Sequence, residues 1–336
     1  MLVSDVRDMA HILEVRNLSV GYVSQADETC PAIVNVGFDI GPGEILGVLG
    51  ESGSGKSTLA ASILRLLPAN GRVQQGTIRF DGRDVLLLDR RELENIRGRR
   101  IAMIDQEPST VLHPTMRIRD QVGEILRRHE HLPRRIRRER TGQILAELFP
   151  TESERIADSY PHELSGGQRQ RVVIAQAIAC RPSLIVADEP TASLDATTER
   201  EILAVLLRLR QKFGLAIILI THSPLLLPGV ADRVLVLYAG RVVEIGPTAS
   251  VLASPLHPYT GALLQCLPQP LGGTDGGKRK TKLPVITGDS PRLISLSQGC
   301  RFEPRCPDRF ETCRQREPPA VSMGDGRTVA CFCFGG

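Results

Sequence analysis

Tryptophan is absent from this 336-residue chain, and its other rings number only four tyrosines and eight phenylalanines. With no aromatics interleaved among its basic residues, it lacks a stacking platform for single-stranded nucleic acid. An excess of one charge is also missing. Against 38 Asp and Glu stand 42 Lys and Arg, a net of +4, which is ordinary for a soluble protein and builds no broad basic field. The longest apolar run, "GLAIILI" at 214–220, is strand-sized. It falls far short of the roughly 18 residues that cross a bilayer. The first residues include Asp5, Arg7 and Asp8 and lack a signal peptide's basic start and apolar middle. The expectation is a chain that stays in the cytoplasm or reaches a membrane only through partners. No internal repeat is visible.

What is present suffices for a large core. Hydrophobic residues make up 41% of the chain, and the length suits about two domains. Residues 12 to about 49 read as short strands, "ILEVRNLSV", "AIVNVGFDI" and "EILGVLG". Further on, "RRIAMIDQEP", "RPSLIVADEP" and "LAIILITHS" read as strands, and "TTEREILAVLLRLRQKFG" as an amphipathic helix closed by glycine. "DRVLVLYAGRVVEIG" reads as a hairpin turning at Ala-Gly. Buried apolar strands separated by helices predict an α/β fold with a mainly parallel sheet covered on both faces. A Pro-, Gly- and Lys-rich stretch over 269–290 reads as a linker. The remainder, 291–336, is then expected to stand as a separate small unit.

"GESGSGKS" at 50–57 fits the phosphate-loop pattern, and it follows a strand and opens a helix. Glycines let the backbone turn so that successive N–H groups face phosphate oxygens, and the helix N-terminus adds positive potential. Gly50, Ser52, Gly53, Ser54, Gly55, Lys56, Ser57 and Thr58 are therefore candidate nucleotide-binding residues. Lys56 would reach the outer phosphates, and the Ser57 hydroxyl would coordinate Mg²⁺. In "SLIVADEP" Asp188 emerges from a buried strand to hold the metal shell. Glu189 follows it, placed to accept a proton from attacking water.

Between these two sites lies "LSGGQRQR" at 164–171. Ser165, Gly166, Gly167 and Gln168 form a second phosphate-binding helix start. One phosphate group does not need two such sites. With the loop upstream and the acidic strand downstream, residues 12–268 strongly resemble the ATP-binding cassette (ABC) ATPases. The resemblance implies a P-loop NTPase with a RecA-like core, an antiparallel β subdomain and a helical subdomain at about 108–180. It implies ATP and Mg²⁺ as ligands, and two subunits that sandwich two ATP molecules head to tail. It also implies roles for single residues. Tyr22 matches the aromatic that stacks on adenine, although a core tyrosine on a strand is the plain alternative. Gln106 joins the metal and water to the loop facing the membrane subunits, although Asp105 precedes it where an aromatic is expected. His222 contacts the γ-phosphate and orients Glu189, Ser223 standing where importer relatives often carry Asp. Asp195 crosses to the opposite subunit.

Lys56 and Ser165 lie 109 residues apart, which leaves no room for the coiled coil of a DNA-repair relative. A single cassette excludes the two-cassette translation factors. "PLHPYTGALLQCLP" (255–268) and "GCRFEPRCPDRFETC" (299–313) resemble the ends of ATPases from oligopeptide, dipeptide and nickel importers. That resemblance implies a second ATPase subunit, two membrane permeases, an extracytoplasmic solute-binding protein and a place on the cytoplasmic face of the inner membrane. An exporter ATPase with separate membrane subunits, or a soluble ABC ATPase, is the alternative. "RRHEHLPRRIRRER" (127–140) holds seven arginines and reads as a solvated helical face, with no nucleic-acid partner expected.

Cys300, Cys306, Cys313 and Cys331 are spaced C-x5-C-x6-C-x17-C, unlike the C-x2-C of common zinc sites. Four thiolates suit a [4Fe–4S] cluster or Zn²⁺, and free thiols or a structural cap complete the alternatives. Cys333 could replace Cys331. Nothing in the sequence links these cysteines to the ATP site.

Overall fold

The computed structural model describes residues 11–24, 27–267, 285–288 and 298–335. Asp5, Arg7 and Asp8, residues 291–297 and most of the linker expected over 269–290 lie outside them. The first sheet is antiparallel. It comprises β1 (Leu13–Val23), β2 (Thr29–Ile40), β4 (Gly71–Phe80) and β5 (Arg83–Asp84), in the order β2-β1-β4-β5. The second sheet starts from β3 (Ile45–Leu49), which runs through the phosphate loop into α1 (Lys56–Ile63).

Helix α2 (Arg90–Ile96) leads to β6 (Ile101–Ile104) at one edge of the second sheet. A helical layer follows: α3 (Pro108–Val111), α4 (Ile118–Glu130), α5 (Arg134–Leu148), α6 (Ser153–Asp158) and α7 (Gly166–Ile178). The chain then completes the sheet with β7 (Leu184–Asp188), α8 (Ala196–Phe213), β8 (Ala216–Thr221), β9 (Arg233–Tyr238) and β10 (Arg241–Pro247). Strands β9, β3, β8, β7 and β6 run parallel, and β10 turns back antiparallel.

The sheet is buried on both faces because its strands carry no polar alternation. In β8, Ala216, Ile218 and Ile220 join the core beneath the antiparallel sheet, while Ile217 and Leu219 join the core beneath the helices. β3 and β7 sort their side chains in the same way, as the twofold period of a strand requires. Each buried Ile or Leu contributes about 1.5–3 kcal/mol. Helix α8 packs Ile202, Leu203, Leu206 and Leu209 inward and ends at Gly214 in the left-handed conformation. The expected hairpin turns at Ala239 and Gly240, both at positive φ, as a two-residue turn between twisted strands demands. The arginine-rich stretch lies along α4 and α5, where Arg127 pairs with Glu124 and Arg140 with Glu130.

The cysteine segment does not stand apart. After α9 (Thr248–Ala253) and α10 (Pro258–Gln265), the chain returns through α11 (Glu311–Gln315), β11 (Val321–Ser322) and β12 (Thr328–Val329). β12 pairs with β10 and extends the parallel core to eight strands, ordered β11-β12-β10-β9-β3-β8-β7-β6. Phe302 is 1% exposed. Its ring packs edge-on against Tyr238 and Tyr259, with centroids 5.2 and 5.5 Å away. The reason is physical: β12 pairs the backbone N–H and C=O groups on the open edge of β10, and Phe302 covers the apolar rings beside it.

Candidate active site

The C-terminal ends of β3, β6, β7 and β8 converge on the N-terminus of α1, the usual position for a ligand in an open α/β sheet. Gly55 sits at φ +106°, and a Cβ there would lie 2.6 Å from Ile33. Only glycine allows this turn at this distance. The hairpin tip braces the loop, since the Gly240 N–H donates to the Ser54 carbonyl at 2.8 Å. Lys56 curls back onto its own loop, with Nζ donating to the Gly50 and Glu51 carbonyls at 2.8 and 3.0 Å. Burial lowers the Lys56 pKa, against the pull of Glu189, Asp188 and Glu51.

Two buried oxygens here lack partners among the described residues, Ser54 Oγ and Asp188 Oδ1. Unpaired buried oxygens cost about 1–3 kcal/mol each. Their position at a phosphate loop fits a polar ligand and a cation. Burial raises the Asp188 pKa, and the Ser57 hydroxyl, bonded to this carboxyl, opposes the shift. Ser57, in the first turn of α1, and Asp188, at the end of β7, thus lie side by side. Gln106 is exposed, and its N–H donates to Asp105 Oδ1 at 2.8 Å.

Glu189 follows Asp188 in the left-handed region at φ +46°. A non-glycine residue held there stores strain, which proteins concentrate at functional sites. Its carboxylate Oε2 lies 3.1 Å from His222 Nδ1, at the end of β8. Tyr22 is half-buried on β1, with its hydroxyl 3.0 Å from Thr58 Oγ1. The tyrosine therefore adjoins the loop helix rather than the deep core. Ser52 and Gly53 lie on the exposed outer turn of the loop.

Ser165, Gly166, Gly167 and Gln168 form a second site. Ser165 Oγ accepts from the Gln168 N–H at 3.3 Å, and Gln168 Oε1 accepts from the Ser165 N–H at 3.1 Å. This capping box fixes the start of α7. Ser165 and Gly166 are exposed. Among the described residues no hydrogen bond or ion pair joins them to the phosphate loop. Asp195 accepts from the Thr197 and Thr198 N–H groups, each at 3.0 Å, and so caps α8. Its carboxylate is committed within its own chain.

Cys300, Cys306, Cys313, Cys331 and Cys333 line one cavity of about 10 Å³. Burial holds the Cys300 thiol above its ordinary range and pushes Cys306 up to about 11 and Cys331 up to about 12. Yet among the described residues no three His, Cys, Asp or Glu side chains form a group that could hold a metal ion. The donors suit a cluster or zinc, but the room and convergence in this arrangement do not.

The expectation that these cysteines lie apart from the ATP site is overturned. Arg305, between Cys300 and Cys306, forms a two-pronged ion pair with Glu51 inside the phosphate loop. The sequence carried a signal for it. An acidic residue inside a loop built for a polyanion calls for a compensating cation.

Residues 33–192 match the ABC transporter family, and residues 243–313 match the oligopeptide/dipeptide transporter C-terminal region. The chain is 41% identical over 321 residues to the oligopeptide transport ATP-binding protein OppD of Salmonella typhimurium, covering 96% of this chain and 93% of that one. It is 39% identical over 327 residues to the oligopeptide transport ATP-binding protein AppD of Bacillus subtilis, covering 97% and 98%. With the dipeptide transport ATP-binding protein DppD of Escherichia coli it shares 39% over 323 residues, 95% and 96%. Among solved structures it superposes on cbiO1 of Clostridium perfringens, part of the transporter complex cbiONQ. That match has a TM-score of 0.63 and 29% identity, and covers 73% of this chain and 92% of cbiO1. It also superposes on the dimeric cassette MJ0796 bound to ADP and Pi, with a TM-score of 0.62 and 30% identity over 70% and 98% of the two chains. The chain belongs to the ABC transporter family, as an ATP-hydrolysing subunit that carries the oligopeptide/dipeptide transporter C-terminal region.

Proposed function

We propose that this subunit drives import of di- or oligopeptides through separate membrane permeases. In this reading it pairs with a second ATPase subunit and takes substrate from an extracytoplasmic binding protein. Among the described residues no helix is long and apolar enough to cross a membrane, so the permeases would hold it at the inner face. The match of residues 243–313 to the oligopeptide/dipeptide transporter C-terminal region carries the choice of cargo, and the split between two half-sites supports the pairing. A loop with unpaired buried oxygens can hold the phosphates of ATP, while an exposed helix start remains for the ATP of a partner.

Within one such site the backbone from Gly50 to Thr58 cradles the phosphates, and Lys56 leaves its own carbonyls for the outer phosphate oxygens. Tyr22 stacks on the adenine. Ser57, Asp188 and Gln106 would hold Mg²⁺, which when bound would supply charge neutralisation on those oxygens. Glu189 accepts the proton of the attacking water, and His222 holds its carboxylate in register. From the partner side, Ser165, Gly166, Gly167 and Gln168 direct their donors at the outer phosphate, while Asp195 keeps α8 seated against that helix start.

Deleting the gene should abolish uptake of labelled di- and tetrapeptides, and the wild-type gene should restore it. Loss of nickel uptake with peptide uptake intact would reassign the cargo. Loss of neither would end the importer reading.

The finer reading, a [4Fe–4S] cluster or Zn²⁺ held by Cys300, Cys306, Cys313 and Cys331 or Cys333, rests on the donor chemistry alone, since these thiols line one small cavity without converging on a metal site among the described residues. Anaerobically purified protein should then absorb visible light and contain iron and sulfide in proportion. Colourless protein with tight zinc selects the metal alone, and protein with neither leaves a thiol-lined cap.

A further inference from the structure

Glu51 is gripped twice by the C-terminal part of the chain. Arg305 Nη1 donates to Glu51 Oε2 at 2.8 Å, and Nη2 donates to Oε1 at 3.1 Å. The backbone N–H of Glu51 donates to the Tyr259 hydroxyl at 2.9 Å. Arg305 Nη1 also reaches the Tyr238 hydroxyl at 3.3 Å, and Nε donates to the Thr287 carbonyl at 3.1 Å. The Arg305 side chain is 6% exposed and that of Glu51 22%. A fork-to-fork pair of this kind is the strongest and most directional of protein ion pairs.

The location gives the pair a purpose. Glu51 is one residue past Gly50, and its carbonyl already accepts from Lys56 Nζ. A free carboxylate at this point would repel the phosphates of ATP and compete with them for the Lys56 ammonium. In a half-buried setting such charges are poorly screened. Arg305 cancels that charge and fixes the direction of the carboxylate.

We propose that Arg305 is a positioning residue for the ATP site, acting through Glu51 to neutralise and orient the phosphate loop. The cysteine-bearing turn at 300–306 thereby sets nucleotide affinity. The inference rests on the reading that ATP binds at the phosphate loop.

The test is a double-mutant cycle on the full chain, reading the Kd for Mg·ATP at low and high salt. Arg305→Ala should raise Kd about tenfold at low salt, and most of the deficit should persist near 0.5 M salt because the half-buried charge is poorly screened. Arg305→Ala with Glu51→Gln, which removes the repelling carboxylate as well, should recover most of the affinity that Arg305→Ala loses. Arg305→Lys, which keeps the charge but not the fork, should fall between and be rescued by Glu51→Gln in the same way. It carries the test if Arg305→Ala fails to fold. Arg305→Ala binding like wild type would overturn the proposal. So would a double variant no better than Arg305→Ala, since Arg305 would then only support the fold. Wild-type protein that fails to bind ATP would instead remove the underlying reading of the loop.

Discussion

Glu189→Gln is expected to lower kcat of the assembled ATPase by about 10²–10⁴-fold while leaving ATP affinity close to wild type. Glutamine keeps the shape of the side chain and can still hydrogen-bond His222, which lies 3.1 Å from the carboxylate. It cannot accept a proton at neutral pH. The loss should therefore appear in kcat with Kd unchanged, and ATP-driven dimers should persist because they form but do not turn over. His222→Ala should cost less. It removes the group that orients the carboxylate but leaves the base, whose backbone is already held at φ +46°. Single-turnover hydrolysis beside equilibrium nucleotide binding separates these outcomes. Unchanged turnover in Glu189→Gln would move the base elsewhere.

The ATP site was legible because its chemistry is local in sequence. A phosphate loop needs glycines and a lysine at fixed spacing, and the metal-binding and base carboxylates must follow a buried strand. Motifs such as "GESGSGKS" and "IVADEP" therefore announce themselves. The parallel sheet was equally legible, since strands buried on both faces have to be apolar throughout. The attachment of the cysteine segment was not. Arg305 and Glu51 are 254 residues apart, and no periodicity connects them. β11 and β12 are two residues each, too short for alternation to register. Asp195 shows a different gap. Resemblance implies a reach across the subunit boundary, while the fold gives its carboxylate to the Thr197 and Thr198 N–H groups of its own helix.

The second large effect is expected at Gly167. A Cβ there would lie 2.4 Å from Thr198 Cγ2, and the bond from the Thr198 hydroxyl to Asp195 resists rotation of that side chain, so Gly167→Ala is expected to displace the start of α7 from α8. The displaced N–H groups would then miss the partner's phosphate. Losing one preorganised donor of this type costs about 10²–10³-fold in rate, so hydrolysis by the complex should fall at least about a hundredfold. The subunit's own ATP affinity should not change, because Ser165 and Gly166 are exposed and, among the described residues, make no hydrogen bond to their own phosphate loop. Thr198→Ser removes the clashing methyl but keeps the hydroxyl that bonds Asp195. Combined with Gly167→Ala, it should restore much of the lost rate, which identifies the defect as steric displacement of the helix start. If Gly167→Ala instead weakened ATP binding by the isolated subunit, the helix start would be serving its own nucleotide. The division into two half-sites, on which the sandwich of two chains depends, would then be wrong.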